Sequence, residues 1–318
     1  MNSSVCDDCN EAGFTPHIKL VLTVATVFIP GLLFHCVARA LLAKDIKKNP
    51  NLVKKLLGAL CVVDVLGICS STAYHVVNVF IPEPSYSACV AIGFFNGFLS
   101  QASNALTTIM AVERCFAFSV TYWYIVNIHS WKLKVPIPFI VICLIVVNML
   151  PAFGFGLVMD PEKPKLCKML PSVPISPSSR LSVYTIVYAS VGLMFVAVNI
   201  VCNIVVIASL FRMVHKRAPP KQNSILAEYK MTIMLLLLSV NFLISWIPFY
   251  VSVFLNYFGK RIPKTVSFCV RVLAGVSYST DPLIYIAARK SYRDRIRTRI
   301  LTICGNDISS GRTVSVIT

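Results

Sequence analysis

Seven stretches of mainly apolar residues, each roughly 20 residues or longer, recur along this chain, and no other feature limits its fold as strongly. At ~1.5 Å per helical residue, such a run crosses a hydrocarbon core ~30 Å thick. In lipid the backbone must satisfy its own hydrogen bonds, so each run predicts a helix. The runs are approximately Ile18–Leu42, Val53–Phe80, Ala88–Ala111, Val135–Val158, Leu181–Phe211, Met231–Phe258 and Thr265–Ala288. The predicted fold is an all-α membrane protein, a seven-transmembrane helix bundle over 18–288, with an extracellular N-terminus over 1–17 and a cytoplasmic tail over 289–318. A hydrophobic content of 56%, charged residues at only 14% and a mean hydropathy of +0.73 set the chain apart from soluble domains.

Orientation follows from Lys and Arg, which accumulate in short cytoplasmic loops. With the N-terminus outside, twenty of them fall in inner segments and eight in outer ones. The first residues are polar and acidic, and the run from Ile18 is too long for a signal-peptide core, so the first span is expected to remain. Asn2-Ser3-Ser4 is a glycosylation acceptor pattern, which makes Asn2 a candidate site on the outer side. The formal charge of +17 lies mostly at span ends, where anionic inner-leaflet lipid attracts it. Membrane lipids, not nucleic acid, are therefore the expected partners of that charge.

No internal repeat appears, which argues against repeat-built transporter folds. After the seventh span, "KSYRDRIRTRILTICG" places Tyr292, Ile296, Ile300 and Ile303 at helical spacing between arginines, predicting a short amphipathic eighth helix on the inner surface. Cys304 ends that segment and is a candidate for palmitoylation; an unmodified tail cysteine is the plain alternative.

Ionisable groups within spans are costly and mark function. Asp64 lies in the middle of the second span and Asp281 in the inner half of the seventh. Two carboxylates at similar depth repel unless a cation or proton lies between them. Ser103 and Ser277 would complete an oxygen-lined site for a bound sodium ion or a proton; otherwise each acid faces its own polar neighbours. No other cofactor is expected. No His/Glu/Asp cluster within the spans has metal-ligand or catalytic spacing, so nothing points to an enzyme.

Cys89 falls at the outer end of the third span, and Cys167 is the only cysteine in the long outer loop Met159–Arg180. A Cys89–Cys167 disulfide would tether that loop over the bundle. Cys6 and Cys9 could pair with each other or with Cys269, and the sequence does not decide whether these three form disulfides. In "LISWIPFYVSVF", Pro248 removes a backbone hydrogen bond two residues after Trp246 and predicts a kink.

In order and spacing, Asp64 in "LCVVDVLG", Cys89, "ERC" at Glu113–Cys115, Cys167, "WIP" at Trp246–Pro248 and "DPLIY" at Asp281–Tyr285 resemble a rhodopsin-like (class A) G-protein-coupled receptor. Within that family the chain is most similar to prostanoid receptors, in "AVERCFAF", "LPAFGFG", "YASVGLMFVAVNIVCNIVVIASLFRM" and "VRVLAGVSYSTDPLIYIAARK". It departs from them in carrying Trp246 where serine is usual and His35 near the asparagine position of the first span. The resemblance implies that an extracellular agonist activates a heterotrimeric G protein. It further implies an activation switch comprising Glu113, Arg114, Pro248, Pro282 and Tyr285, and gives Arg271 the role of pairing with a ligand carboxylate.

The residues support that role independently. At 100° per residue, Arg271, Gly275, Tyr278, Pro282 and Tyr285 share one helix face. Arg271 lies ~15 Å outward of Asp281, near a cavity mouth, where a guanidinium matches a carboxylate. Snorkelling to outer headgroups or pairing with Glu83 or Asp160 is the competing reading. Arg271, Tyr278, Trp246 and Phe249 are the expected ligand contacts. The outer third span lacks an acid for a cationic amine, and the seventh lacks a lysine for retinal. An anionic small molecule or lipid fits best; a peptide or other small acidic ligand, and more remotely a transporter or channel, are the alternatives.

Overall fold

The computed structural model of the chain describes residues 16–48, 52–119, 136–156, 158–159, 167, 180–216, 223–260 and 262–288. Asn2, Cys304, the expected eighth helix, Asp160 and the cysteines at 6 and 9 lie outside the described residues.

The first helix, α1, runs as an α-helix over Pro16–Thr23, opens into a π-helical segment over Val24–Phe28, and resumes over Ile29–Lys48. Pro30 explains the interruption, because it has no N–H for the preceding turn and its ring crowds a carbonyl there. The remaining long helices are α2 (Leu52–Phe80), α3 (Tyr86–Ser119), α4 (Pro136–Met149), α5 (Val183–Lys216), α6 (Asn223–Tyr257) and α7 (Lys264–Ala288).

Local sequence fixes several ends. The Ser85 hydroxyl accepts the Ala88 N–H at 3.3 Å and caps α3. Helix α6 closes on Gly259, which adopts a left-handed φ of 78°, with the Gly259 N–H on Asn256 and the Lys260 N–H on Leu255. The fourth span stops well short of the expected Val158. It ends at Met149, tightens into a 3-10 turn over Leu150–Phe153 and is capped by left-handed Gly154. Pro151 has no donor with which to continue the helix.

Among the described residues, four helical stretches are long and apolar enough to cross a membrane by themselves: Leu20–Lys47, Pro136–Phe153, Arg180–Arg212 and Lys230–Tyr257. Helices α2, α3 and α7 are diluted by buried polar residues, among them Asp64, Gln101, Asn104, Arg114 and Ser277. Their polarity is turned inward. Helix α3 packs against α2, α4, α5 and α6, and α7 closes the ring against α6, α1 and α2. The surface, by contrast, exposes Leu33, Leu66, Phe95, Phe139, Ile142, Val201 and Ile244, the pattern that lipid requires.

Two cores stack along the bundle. One is aromatic, built around Tyr184, Tyr188, Phe195, Phe242, Trp246, Phe249, Tyr250 and Tyr278. The other is aliphatic and lies toward Arg114, with Leu42, Leu56, Leu57, Leu60, Met110, Met234, Leu235 and Leu238 around the ring of Tyr285.

Candidate functional site

A disulfide joins Cys89 at the start of α3 to Cys167. Around it, the Tyr74 hydroxyl donates to the Cys167 carbonyl at 2.9 Å, and the Cys167 N–H donates to the Asn78 side chain at 2.9 Å. Helix α2 therefore holds the same loop residue that the disulfide anchors to α3. Beneath this end of the bundle, Trp246 packs edge-on against Phe249 and Tyr278, with ring centroids 5.5 and 6.3 Å apart. Three of the four expected ligand contacts thus form one aromatic cluster, and all three are buried.

Arg271 is not in that cluster. It lies seven residues before Tyr278, on the same face of α7, and is exposed. Its Nε donates to the Ser267 carbonyl at 3.1 Å and its Nη2 to the Ser267 hydroxyl at 2.7 Å. Among the described residues, no carboxylate lies within ion-pair distance of it.

Polar side chains on α3 tie the aromatic cluster to four neighbouring helices, and the sequence reading missed most of them. The Tyr278 hydroxyl donates to Ser100 at 3.0 Å, and the Asn104 amide donates to the Tyr250 hydroxyl at 2.7 Å. Gln101 donates to the Tyr188 carbonyl at 3.1 Å and accepts from Asn148 at 3.0 Å, while the Tyr184 hydroxyl donates to Asn148 at 3.2 Å. Amides within apolar runs were the available signal. From α1, His35 donates to the Tyr278 carbonyl at 2.8 Å, and the Ser279 hydroxyl reaches back to the Val27 carbonyl of the π-helical turn at 2.8 Å.

The four residues expected to form an ion site separate into two groups. Ser103 donates to Asp64 Oδ1 at 2.7 Å, and Asp64 Oδ2 is buried without a hydrogen-bond partner. Asp281 accepts instead from Asn241 of α6 at 2.7 Å, and Asn241 also donates to Thr280 at 2.8 Å. Ser277 bonds to neither acid: its hydroxyl donates to the Ala274 carbonyl at 2.7 Å. A serine inside a helix satisfies itself on the preceding turn when no stronger acceptor is nearer.

At the opposite end, Arg114 Nε and Nη2 grip both oxygens of Glu113, at 2.6 and 3.2 Å, and both residues are buried. Tyr285 packs in the aliphatic core. Pro248 and Pro282 lie inside α6 and α7, as the sequence requires.

Seven helices, a disulfide from Cys167 to the start of α3, a buried aromatic cluster and a buried Glu-Arg pair at the far end together define a seven-helix membrane receptor. Residues 47–285 match the family "7 transmembrane receptor (rhodopsin family)", and the chain belongs to it. It is thus a multi-pass membrane protein of a family of G-protein-coupled receptors, not of enzymes. Among curated relatives it is similar to the prostaglandin E2 receptor EP2 subtype of Canis lupus familiaris, with 22% identity covering 91% of this chain and 87% of that one. It is equally similar to the Homo sapiens EP2 subtype, at 22% identity over 91% and 88% of the two chains.

Proposed function

We propose that this chain is a receptor for an extracellular carboxylate lipid of prostanoid type and that it activates a heterotrimeric G protein at its Arg114 end. The disulfide end is then extracellular, in keeping with the Lys and Arg distribution. The observation that carries the reading is Arg271, an exposed guanidinium on the Tyr278 face of α7 whose hydrogen bonds among the described residues go to Ser267. A ligand carboxylate supplies the missing partner, while the hydrocarbon part reaches Tyr278, Trp246 and Phe249. The EP2 relatives act on prostaglandin E2, as their name states, which makes that acid the first ligand to test.

An agonist shifts the population only by binding the active state more tightly. Contact with the cluster bears on Trp246, two residues before the kink at Pro248, and so on the Arg114 end of α6. Release of Arg114 from Glu113 then opens the G-protein surface, with Tyr285 supporting the freed guanidinium. Asp64 and Ser103 hold a sodium ion in the resting state, with Asp281 facing them. Their fit to a cation rests on the partnerless Asp64 Oδ2. Palmitoylation at Cys304 and glycosylation at Asn2 complete the proposed topology.

The test is agonist-driven nucleotide exchange on wild type, Arg271→Lys and Arg271→Ala, with prostaglandin E2, other carboxylate lipids and acidic peptides. Charge-assisted hydrogen bonds are worth ~1.5–3 kcal/mol, so a carboxylate agonist loses about 10- to 150-fold in potency on Arg271→Ala. The methyl ester of the same agonist should lose as much on wild type and little more on the variant. Equal potency on wild type and Arg271→Ala removes the assigned role, and a response to peptides alone replaces the lipid reading.

A further inference from the structure

Two thiols lie between α3 and α5 beside the Glu113–Arg114 pair, and the receptor function above makes no use of them. Their position follows from the register of the two helices. Gln101 of α3 donates to the Tyr188 carbonyl of α5 at 3.1 Å, and seven residues along, the Thr108 hydroxyl donates to the Phe195 carbonyl at 3.4 Å. Both pairs are separated by 87 positions in sequence. A side chain as short as threonine touches a neighbouring backbone only where two helices approach closely. Parallel helices that face each other at one level meet again seven residues, or two turns, further on.

The next step of that register pairs Cys115 with Cys202, again 87 apart. The two thiols lie close enough to interact, so the register holds to this level. Cys202 is buried, whereas Cys115 is half-buried and lies 3.9 Å from the Ser119 hydroxyl. Of the other free cysteines described, Cys36, Cys69, Cys143 and Cys269 are exposed on the outside of the bundle and Cys61 is buried in the aliphatic core.

We propose that Cys115 and Cys202 form a dithiol that a hydroperoxide oxidises to a disulfide, stapling α3 to α5 one residue beyond Arg114. Cys115, the more accessible thiol, attacks the peroxide. Its S–H proton leaves with the departing oxygen as water, the O–O bond breaks and an S–O bond forms, giving a sulfenic acid. The Cys202 sulfur then attacks the Cys115 sulfur, the S–O bond breaks, and the hydroxyl leaves with the Cys202 proton as a second water. Two thiols lose two electrons and one peroxide becomes two waters. In the proposed orientation the site lies toward the reducing cytoplasm, so the dithiol is its resting form. Hydrogen peroxide is small and uncharged and reaches a half-buried thiol at a membrane edge.

The test uses the full-length receptor in lipid nanodiscs, treated with hydrogen peroxide, alkylated and digested without reductant. The expected product is a Cys115–Cys202 linked peptide, two hydrogens lighter than the separate peptides, at least tenfold above the untreated sample and absent after dithiothreitol. Cys202→Ala should stop at a dimedone-reactive sulfenic acid on Cys115, and Cys115→Ala should leave Cys202 alkylated at the same dose. Wild-type protein in which both cysteines remain alkylated, in which Cys115 advances to a sulfinic acid, or in which Cys115 links to another cysteine overturns the proposal. The wild-type map decides the matter even where a variant folds poorly, and its readout needs neither ligand nor G protein.

Discussion

The halves of the bundle on either side of Asp64 are built from different materials. Toward the disulfide, the core is aromatic and its rings are fixed by hydrogen bonds: Tyr278 to Ser100, Tyr250 to Asn104, Tyr184 to Asn148. Toward Arg114, the core is mainly aliphatic, with leucines and methionines packed around the ring of Tyr285. Rings with bonded hydroxyls specify one arrangement, whereas aliphatic side chains of similar volume repack at little cost. The first half suits the recognition of a ligand's shape, and the second suits a core that must rearrange when Arg114 is released.

The largest expected effect comes from the tether. Cys167→Ser opens a loop that closes a sequence separation of 78 and should cost ~2–5 kcal/mol, read as lost surface expression. Retention of full expression and stability would show that Tyr74 and Asn78 hold the loop without the disulfide. Gly192→Ala comes next, because a methyl group there would land in the ring of Tyr250. Overpacking of this kind costs ~1–3 kcal/mol and should appear as a lower melting temperature of purified receptor.

A smaller loss is expected for Tyr250→Phe, which leaves the ring in place and deprives Asn104 of its acceptor. Hydrogen bonds between membrane helices average ~0.6 kcal/mol and reach ~1.7, so the melting point should fall by only a few degrees. Smallest of all is Gly58→Ala in the aliphatic half, where the new methyl meets Ile46 and Leu42 at ordinary contact distances of 3.5 and 3.7 Å. Alanine favours the helix by up to ~1 kcal/mol, so this variant should melt at the same temperature or slightly higher. If Gly58→Ala destabilised the protein as much as Gly192→Ala, the contrast between the two halves would be false.

Asp64 and the Glu113–Arg114 pair were legible in the sequence because a charge in an apolar run is rare and favours the bundle interior, whereas Arg271 is exposed. Asn241 was not legible, since one amide in a membrane helix is common and its partners Thr280 and Asp281 lie 39 and 40 positions away. Ser277 has a spacing from Asp281 that suits a shared site, while its hydroxyl donates to a carbonyl of its own helix. The early end of α4 was visible in Pro151 and Gly154, yet an apolar count runs past both.

The sequence alone determined that the chain crosses the membrane as a seven-helix bundle, where its charges fall and which cysteine could tether the long loop. These follow from transfer free energies and helix pitch, which depend only on residue type and spacing. Tertiary structure decided which inward-facing groups meet. The Tyr278–Ser100 bond joins residues 178 positions apart, the Asn104–Tyr250 bond joins residues 146 apart, and the α3–α5 register places Cys115 opposite Cys202. Such pairings depend on how helices rotate and slide against one another, and many registers bury nearly the same apolar area. Only the full set of interhelical contacts selects one.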